Sequence, residues 1–116
     1  MKFVNRCVVT LKPRKAFIDW ATGLGAELPE DWSFEGGAYL LNEQETEEAL
    51  LADISQQSRK ILENELSVWT EDRSQWPEPL DHRQLQSFFE LYIAVAAFDL
   101  GNESLLRADI SDIQVF

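Results

Sequence analysis

From about Thr46 to Trp69 the chain keeps the apolar spacing of an α-helix for roughly twenty residues. Leu51, Ile54, Ser58, Ile61, Leu62, Glu65 or Leu66, and Trp69 recur on one side. Glu47 and Glu48 stand in the first turn, where the helix dipole favours negative charge. The expected architecture is the one that covers this stripe, with Ile54, Ile61 and Leu62 turned inward against a sheet.

Residues 3 to 11 alternate with period two and are rich in valine, the pattern of a half-buried strand. Phe3, Asn5, Cys7, Val9 and Leu11 share one face, and Val4, Arg6, Val8 and Thr10 the other. Pro13 ends that strand and suits the first turn of a helix. In that helix Phe17, Trp20, Ala21 and Leu24 form an apolar face, stopped by Gly23 and Gly25. Residues 26 to 36 read as a loop, and residues 37 to 42 as a second strand. Residues 70 to 80, with two prolines, read as a connection. Asp81 and Gln84 resemble a capping box ahead of a helix whose face is Leu85, Phe88 and Phe89. Residues 91 to 100 fit either a continuation of that helix or a buried strand. Two strands alone rarely make a stable sheet, so the strand reading is preferred. Ile110 to Phe116 form a further β-like run suited to a short C-terminal edge strand.

The expected fold is therefore α+β, in the order β-α-β-α-α-β, with a three-stranded sheet and helices mainly on one face. The first two strands, if paired directly, are expected to form a right-handed parallel crossover. A chain of 116 residues makes one domain, residues 1 to 116. It is long enough to bury a core without metal or disulfide staples. Cys7, the one cysteine, excludes an internal disulfide and Cys-rich zinc modules. The N-terminal apolar run is broken by Asn5 and Arg6 and lacks a cleavage site, unlike a signal peptide. No stretch approaches 18 apolar residues, so no membrane span is expected. These features together lead to the expectation of a reducing, cytoplasmic setting.

Several short runs also resemble one another's counterparts in a group of small, acidic, uncharacterised bacterial proteins, a domain of unknown function. They are Asn5-Arg6 and Lys12-Pro13 around the first strand, Phe17 and Trp20, Ala38-Tyr39-Leu40, Glu63-Asn64-Glu65-Leu66 with Trp69, Trp76-Pro77, and Phe98-Asp99-Leu100. The resemblance implies a β-α-β-α-α-β unit with a strand ending at Phe98-Asp99-Leu100. It implies no activity, cofactor or catalytic residue.

Catalytic chemistry is sparse in the sequence. His82 has Asp81 beside it, but adjacent residues do not share a helix face, and no second ligand stands at i+4. An exposed first-turn histidine is expected, with nothing nearby depending on its proton. Cys7 shares its face with Val9 and Leu11, where cysteine behaves as a small hydrophobe and not as an activated thiolate. The close acid pairs, among them Glu30-Asp31, Glu47-Glu48 and Glu71-Asp72, lack the Asp/Asn-Gly pattern of a calcium loop. Gly23-x-Gly25 lacks a third glycine, and neither a phosphate-binding loop nor a nucleophile elbow occurs. No cofactor or metal is expected.

Charge is the informative anomaly. Lys2, Arg6, Lys12, Arg14 and Lys15 precede any acid. The following 101 residues carry five basic and 21 acidic side chains, a balance of -16 within a net charge of -11. Such acidity disfavours direct binding to nucleic acid or anionic membranes. The functional reading is a basic lip (Arg6, Lys12, Arg14, Lys15) for an anion, beside an acidic body for a basic partner. The alternative is intramolecular, with Lys12, Arg14 and Lys15 neutralising the acidic long helix. Trp32 and Trp76 fall in loops, where a large aromatic can anchor a partner or fold back over the helices. The expected function is a non-enzymatic acidic interaction or regulatory module that meets a protein with a basic surface through Trp32, Trp76, Glu71 and Asp72. The other reading is a small enzyme or ligand-binding domain that uses the basic lip for an anionic metabolite.

Overall fold

The computed structural model of the protein describes residues 1–28 and 36–110. The elements run β1 (Lys2–Val4), β2 (Arg6–Pro13), α1 (Lys15–Gly23), β3 (Ala38–Asn42), α2 (Glu47–Ser67), a 3-10 turn (Arg73–Gln75), α3 (His82–Phe88), β4 (Phe89–Ala94) and β5 (Ala97–Asp99). The fold is α+β, with a three-stranded sheet of order β3-β2-β4 and a two-stranded ribbon of β1 and β5.

Local chemistry sets the helix boundaries. The Thr46 hydroxyl caps α2 by accepting the Ala49 N–H at 3.1 Å, ahead of Glu47 and Glu48 in the first turn. The Asp81 carboxylate caps α3 by accepting the Gln84 N–H at 2.9 Å. Just beyond α1, Gly25 stops the helix with a φ of 96°, in the left-handed region that glycine enters without a Cβ penalty. The ambiguous stretch after Leu85 is resolved as strand. Phe89 already has φ -138° and ψ 141°, and β4 pairs with β2 from Pro13↔Phe89 to Val8↔Ala94.

The core lies between one face of the sheet and the helices. Cys7, Val9 and Leu11 of β2, Leu41 of β3 and Phe89 of β4 meet Phe17 of α1, Leu85 and Phe88 of α3, and the inward row of α2. That row includes Leu50, Ile54, Ile61, Leu62 and Leu66; Leu51, read as part of it, is exposed instead. The Phe17 ring is the centre of an aromatic cluster, with Phe89, Trp20, Phe88 and Trp69 ring centroids 4.7 to 6.0 Å away.

The expected parallel crossover of the first two strands is corrected. β3 pairs antiparallel to β2, from Arg6↔Asn42 to Thr10↔Ala38. The Gly36 N–H donates to Leu11 O at 2.8 Å, so β3 starts beside the end of β2 that α1 has just left. α1 thus leaves the sheet at the same end at which β3 enters it. The parallel relation falls between β3 and β4, which flank β2, with α2 carrying the chain back between them.

A second correction concerns the edge of the first strand. The pairing Val8↔Ala94 gives way to Val4↔Ala97, so three residues (Asn5, Arg6, Cys7) face two (Val95, Ala96). This one-residue slip is a bulge, which bends the strand and interrupts its alternation. Phe3 and Asn5 leave the face they were expected to share with Cys7, and Phe3 is 60% exposed. Cys7 holds the bulge from beneath: its thiol lies 3.4 Å from Val95 O, and the Gln44 N–H donates to its sulfur at 3.3 Å. The strand expected over residues 91 to 100 is likewise divided into β4 and β5. Trp32 and the β-like run from residue 111 onward lie outside the described residues.

Candidate functional site

The basic lip is dispersed by the strand that carries it. Arg6 and Lys12 sit at opposite ends of β2, about 20 Å apart at the rise of a strand. The Arg6 guanidinium donates to Asn5 O at 2.7 Å and to Asn5 Oδ1 at 3.0 Å. Lys12, Arg14 and Lys15 are exposed together where β2 turns into α1. None of them forms an ion pair among the described residues. The ion pairs present join Glu63 to Arg59 at 3.3 Å and to Arg73 at 3.0 Å.

Trp76 is not a free anchor. It is 8% exposed and belongs to the core cluster, its indole N–H donates to Thr70 O at 2.9 Å, and the Arg73 guanidinium stands 4.7 Å over its ring. A connection tryptophan buries its large apolar surface by folding back when the hydrogen bond of its one polar atom can be met on the way. Asp72, also expected at a partner contact, caps the 3-10 turn. The Ser74 hydroxyl and N–H both donate to its carboxylate, at 2.6 and 3.0 Å, and hold it below the usual carboxylate range. Glu71 is exposed beside it. The expected set of Trp32, Trp76, Glu71 and Asp72 is therefore not assembled as one accessible patch among the described residues.

His82 is half-buried, and its Nδ1 lies 3.2 Å from Ser58 Oγ, which corrects the expectation of an isolated exposed ring. The Ser58 hydroxyl also lies 3.0 Å from Ile54 O, within donating distance. At 1% exposure Ser58 cannot be reached by a substrate carbonyl, so this contact packs α3 on α2 and does not form a nucleophile and base. Cys7 is buried, as a core thiol. Among the described residues no three His, Cys, Asp or Glu side chains converge as a metal site requires.

Two accessible features remain. The first is apolar. On the open face of the sheet Val8 lies between Leu40 and Ala94, and Thr10 beside Tyr92. Leu40 and Tyr92 are exposed there, Val95 is exposed just beyond β4, and in the ribbon Phe3 and Phe98 pair edge to face at 6.1 Å, both 60% exposed. Leu100, Leu105 and Leu106 continue this exposure along the C-terminal segment. Strands with apolar residues on both faces read as fully buried. The helices of this chain cover one face, and the sequence signal for the second is the same two-sided apolarity.

The second feature is a groove of about 360 Å³ between β3 and α2. Tyr39, Leu40, Leu41 and Asn42 line one wall, and Asp53, Gln57, Lys60, Ile61 and Asn64 the other. Its floor holds a polar network. The Tyr39 hydroxyl donates to Glu65 Oε2, accepts the Asn64 amide at 2.9 Å, and shares Glu65 with the Gly37 N–H at 3.1 Å. Burial raises the Tyr39 pKa far above its ordinary value; the Asn64 bond opposes this and the Glu65 carboxylate adds to it. Gly36 is required by the approach: a Cβ there would stand 2.6 Å from Glu65 Oε1 and 3.1 Å from Leu11 Cβ.

The chain matches no protein-family model, and no curated protein or solved structure is significantly similar to it. No helix among the described residues is long and apolar enough to cross a membrane.

Proposed function

We propose that the protein is a non-enzymatic interaction module that seats a protein of basic surface against the open face of its sheet and the β1–β5 ribbon. The observation that carries this reading is the apolar surface of Leu40, Tyr92, Phe3 and Phe98, large side chains held exposed on ordered strands. Extended apolar surface of this kind marks interaction sites on soluble domains. The net charge of -11 supplies the partner's chemistry, since it accelerates encounter with cationic surfaces and salt screens it over about 10 Å at 0.1 M. Aromatic side chains supply the lasting contact, because charge alone gives rate and selection more than affinity.

The test is affinity capture from lysate with the wild-type chain and with Phe98→Ser, alongside melting curves of both. A specific partner should be released faster as salt rises. Its affinity should fall about tenfold or more in the variant, the effect of removing an aromatic anchor, with little change in melting temperature. A second reading is favoured by the shared exposure of Lys12, Arg14 and Lys15: an anionic small-molecule site at the β2–α1 junction. If an anionic metabolite raises the melting temperature and no captured protein depends on Phe98, that reading replaces the first.

A further inference from the structure

The groove between β3 and α2 has two walls of different chemistry. Four consecutive residues of β3, Tyr39 to Asn42, line one wall although they alternate between the two faces of the sheet. Consecutive residues share one void where it runs along a strand's edge. Among the described residues β3 pairs only with β2, so this edge presents backbone N–H and C=O groups without ladder partners. Charges, prolines and bulges usually guard such an edge. Ala38-Tyr39-Leu40-Leu41-Asn42 has no charge and no proline, and its register with β2 is unbroken. The charges stand on the other wall. Asp53, Gln57, Lys60 and Asn64 of α2 follow one another at helical spacing along the groove. Asp53 and Lys60 are two turns apart, about 10.5 Å along the helix axis. Neither forms an ion pair among the described residues, where the ion pairs belong to Glu63. Gln57 lies between them, with an amide that can both donate and accept.

We propose that this groove binds a free tripeptide, paired with the β3 edge and held by its two charged ends. An extended peptide of three residues spans about 10 Å, with an ammonium at one end and a carboxylate at the other. That length matches the separation of Asp53, which takes the ammonium, from Lys60, which takes the carboxylate. A peptide of five residues overshoots it by about 7 Å. The β3 backbone and the Gln57 amide bond the peptide groups in between, the mode of strand addition to a sheet edge. The middle side chain, turned inward by alternation, meets Leu41 and Ile61, which favours an apolar residue there. The groove volume of about 360 Å³ falls among small-ligand sites and suits an occupant of this size. The site goes beyond the partner surface proposed above and does not rest on it. Leu40 borders both, so it stays unaltered in the test.

The probe is Ala-Leu-Ala with free ends, titrated into the full chain and followed by amide NMR shifts. Saturable shifts are expected at Tyr39 to Asn42 and at Gln57 to Asn64. Acetylating the amino end or amidating the carboxyl end should each weaken binding about tenfold, the scale of a lost charge-assisted contact. The two side-chain variants then identify which charge meets which end. In Asp53→Asn the acetylated peptide should bind as weakly as the free one, and in Lys60→Gln the same should hold for the amidated peptide. Neither side chain belongs to the core, and unshifted Val9 and Leu62 amides in the peptide-free variants verify the fold. Absence of saturable shifts up to about 10 mM peptide would overturn the proposal. So would equal affinity for the doubly capped peptide or for Ala-Ala-Leu-Ala-Ala, which would assign the groove to internal segments of longer chains. Affinity unaltered by both variants would overturn it as well. Capture of a protein through Phe98 is a separate readout, and neither result decides the other.

Discussion

Replacing Tyr39 with Phe removes a single hydroxyl from the floor of the groove and keeps the ring. That oxygen donates to Glu65 and accepts from Asn64. Glu65 is only 7% exposed, and without the phenol its Oε2 keeps the Gly37 N–H alone among these bonds. A hydrogen bond to a charged group contributes about 1.5–3 kcal/mol, and water can replace the lost partner of half-buried Asn64. The expected loss at pH 7 is therefore about 2 kcal/mol, against a total of roughly 5–15 kcal/mol for a domain. The alkaline limb gives a second, sharper signature. Burial holds the folded Tyr39 pKa above its ordinary 10.0, so the folded chain keeps a proton that the unfolded chain loses. Stability from this group is complete below that ordinary value and declines as pH rises through the interval up to the folded pKa. The slope is at most about 1.4 kcal/mol per pH unit for one proton. The Phe variant lacks this component, so the gap between the two proteins should narrow in alkali. Urea titrations followed by tryptophan fluorescence, in steps from neutral to alkaline pH, measure both effects. A variant within about 0.5 kcal/mol of wild type at pH 7, with the same alkaline slope, would refute the network as the support of Glu65.

Trp76→Ala should destabilise by about 3 kcal/mol and lower the melting temperature by roughly 10 °C, since it empties a core position and orphans Thr70 O; an unchanged melting curve would return Trp76 to the surface. Cys7 should resist alkylation until the chain unfolds, because the thiol is buried beneath the bulge. Rapid labelling of the native protein, read by intact mass, would contradict that placement.

Much of the local structure was legible because its causes are local. The apolar period of α2, the caps at Thr46 and Asp81, the stop at Gly25 and the inner row Cys7, Val9 and Leu11 each depend on residues a few positions apart. The strand after Phe88 followed from the need for a third strand, and the helices do share one face of the sheet. The candidate surface was legible only as residue type. Phe98 and Tyr92 were visible as apolar strand residues, but alternation does not say whether a strand's second face finds a cover.

Tertiary structure decided the rest, where groups distant in the chain compete for the same place. The Leu11–Gly36 hydrogen bond starts β3 beside the end of β2, which makes the pair antiparallel. The slip at Asn5–Cys7 opposite Val95–Ala96 turned Phe3 out to solvent, and no single-strand pattern encodes a count of residues on the partner strand. Trp76 has no helical or strand period to declare its side. Its burial depends on a carbonyl at Thr70 and on the guanidinium of Arg73, which is itself held by Glu63 of α2. Glu65 lies on the apolar stripe of α2 and would be costly to bury alone; Tyr39 and Gly37, far back in the sequence, make its position tenable.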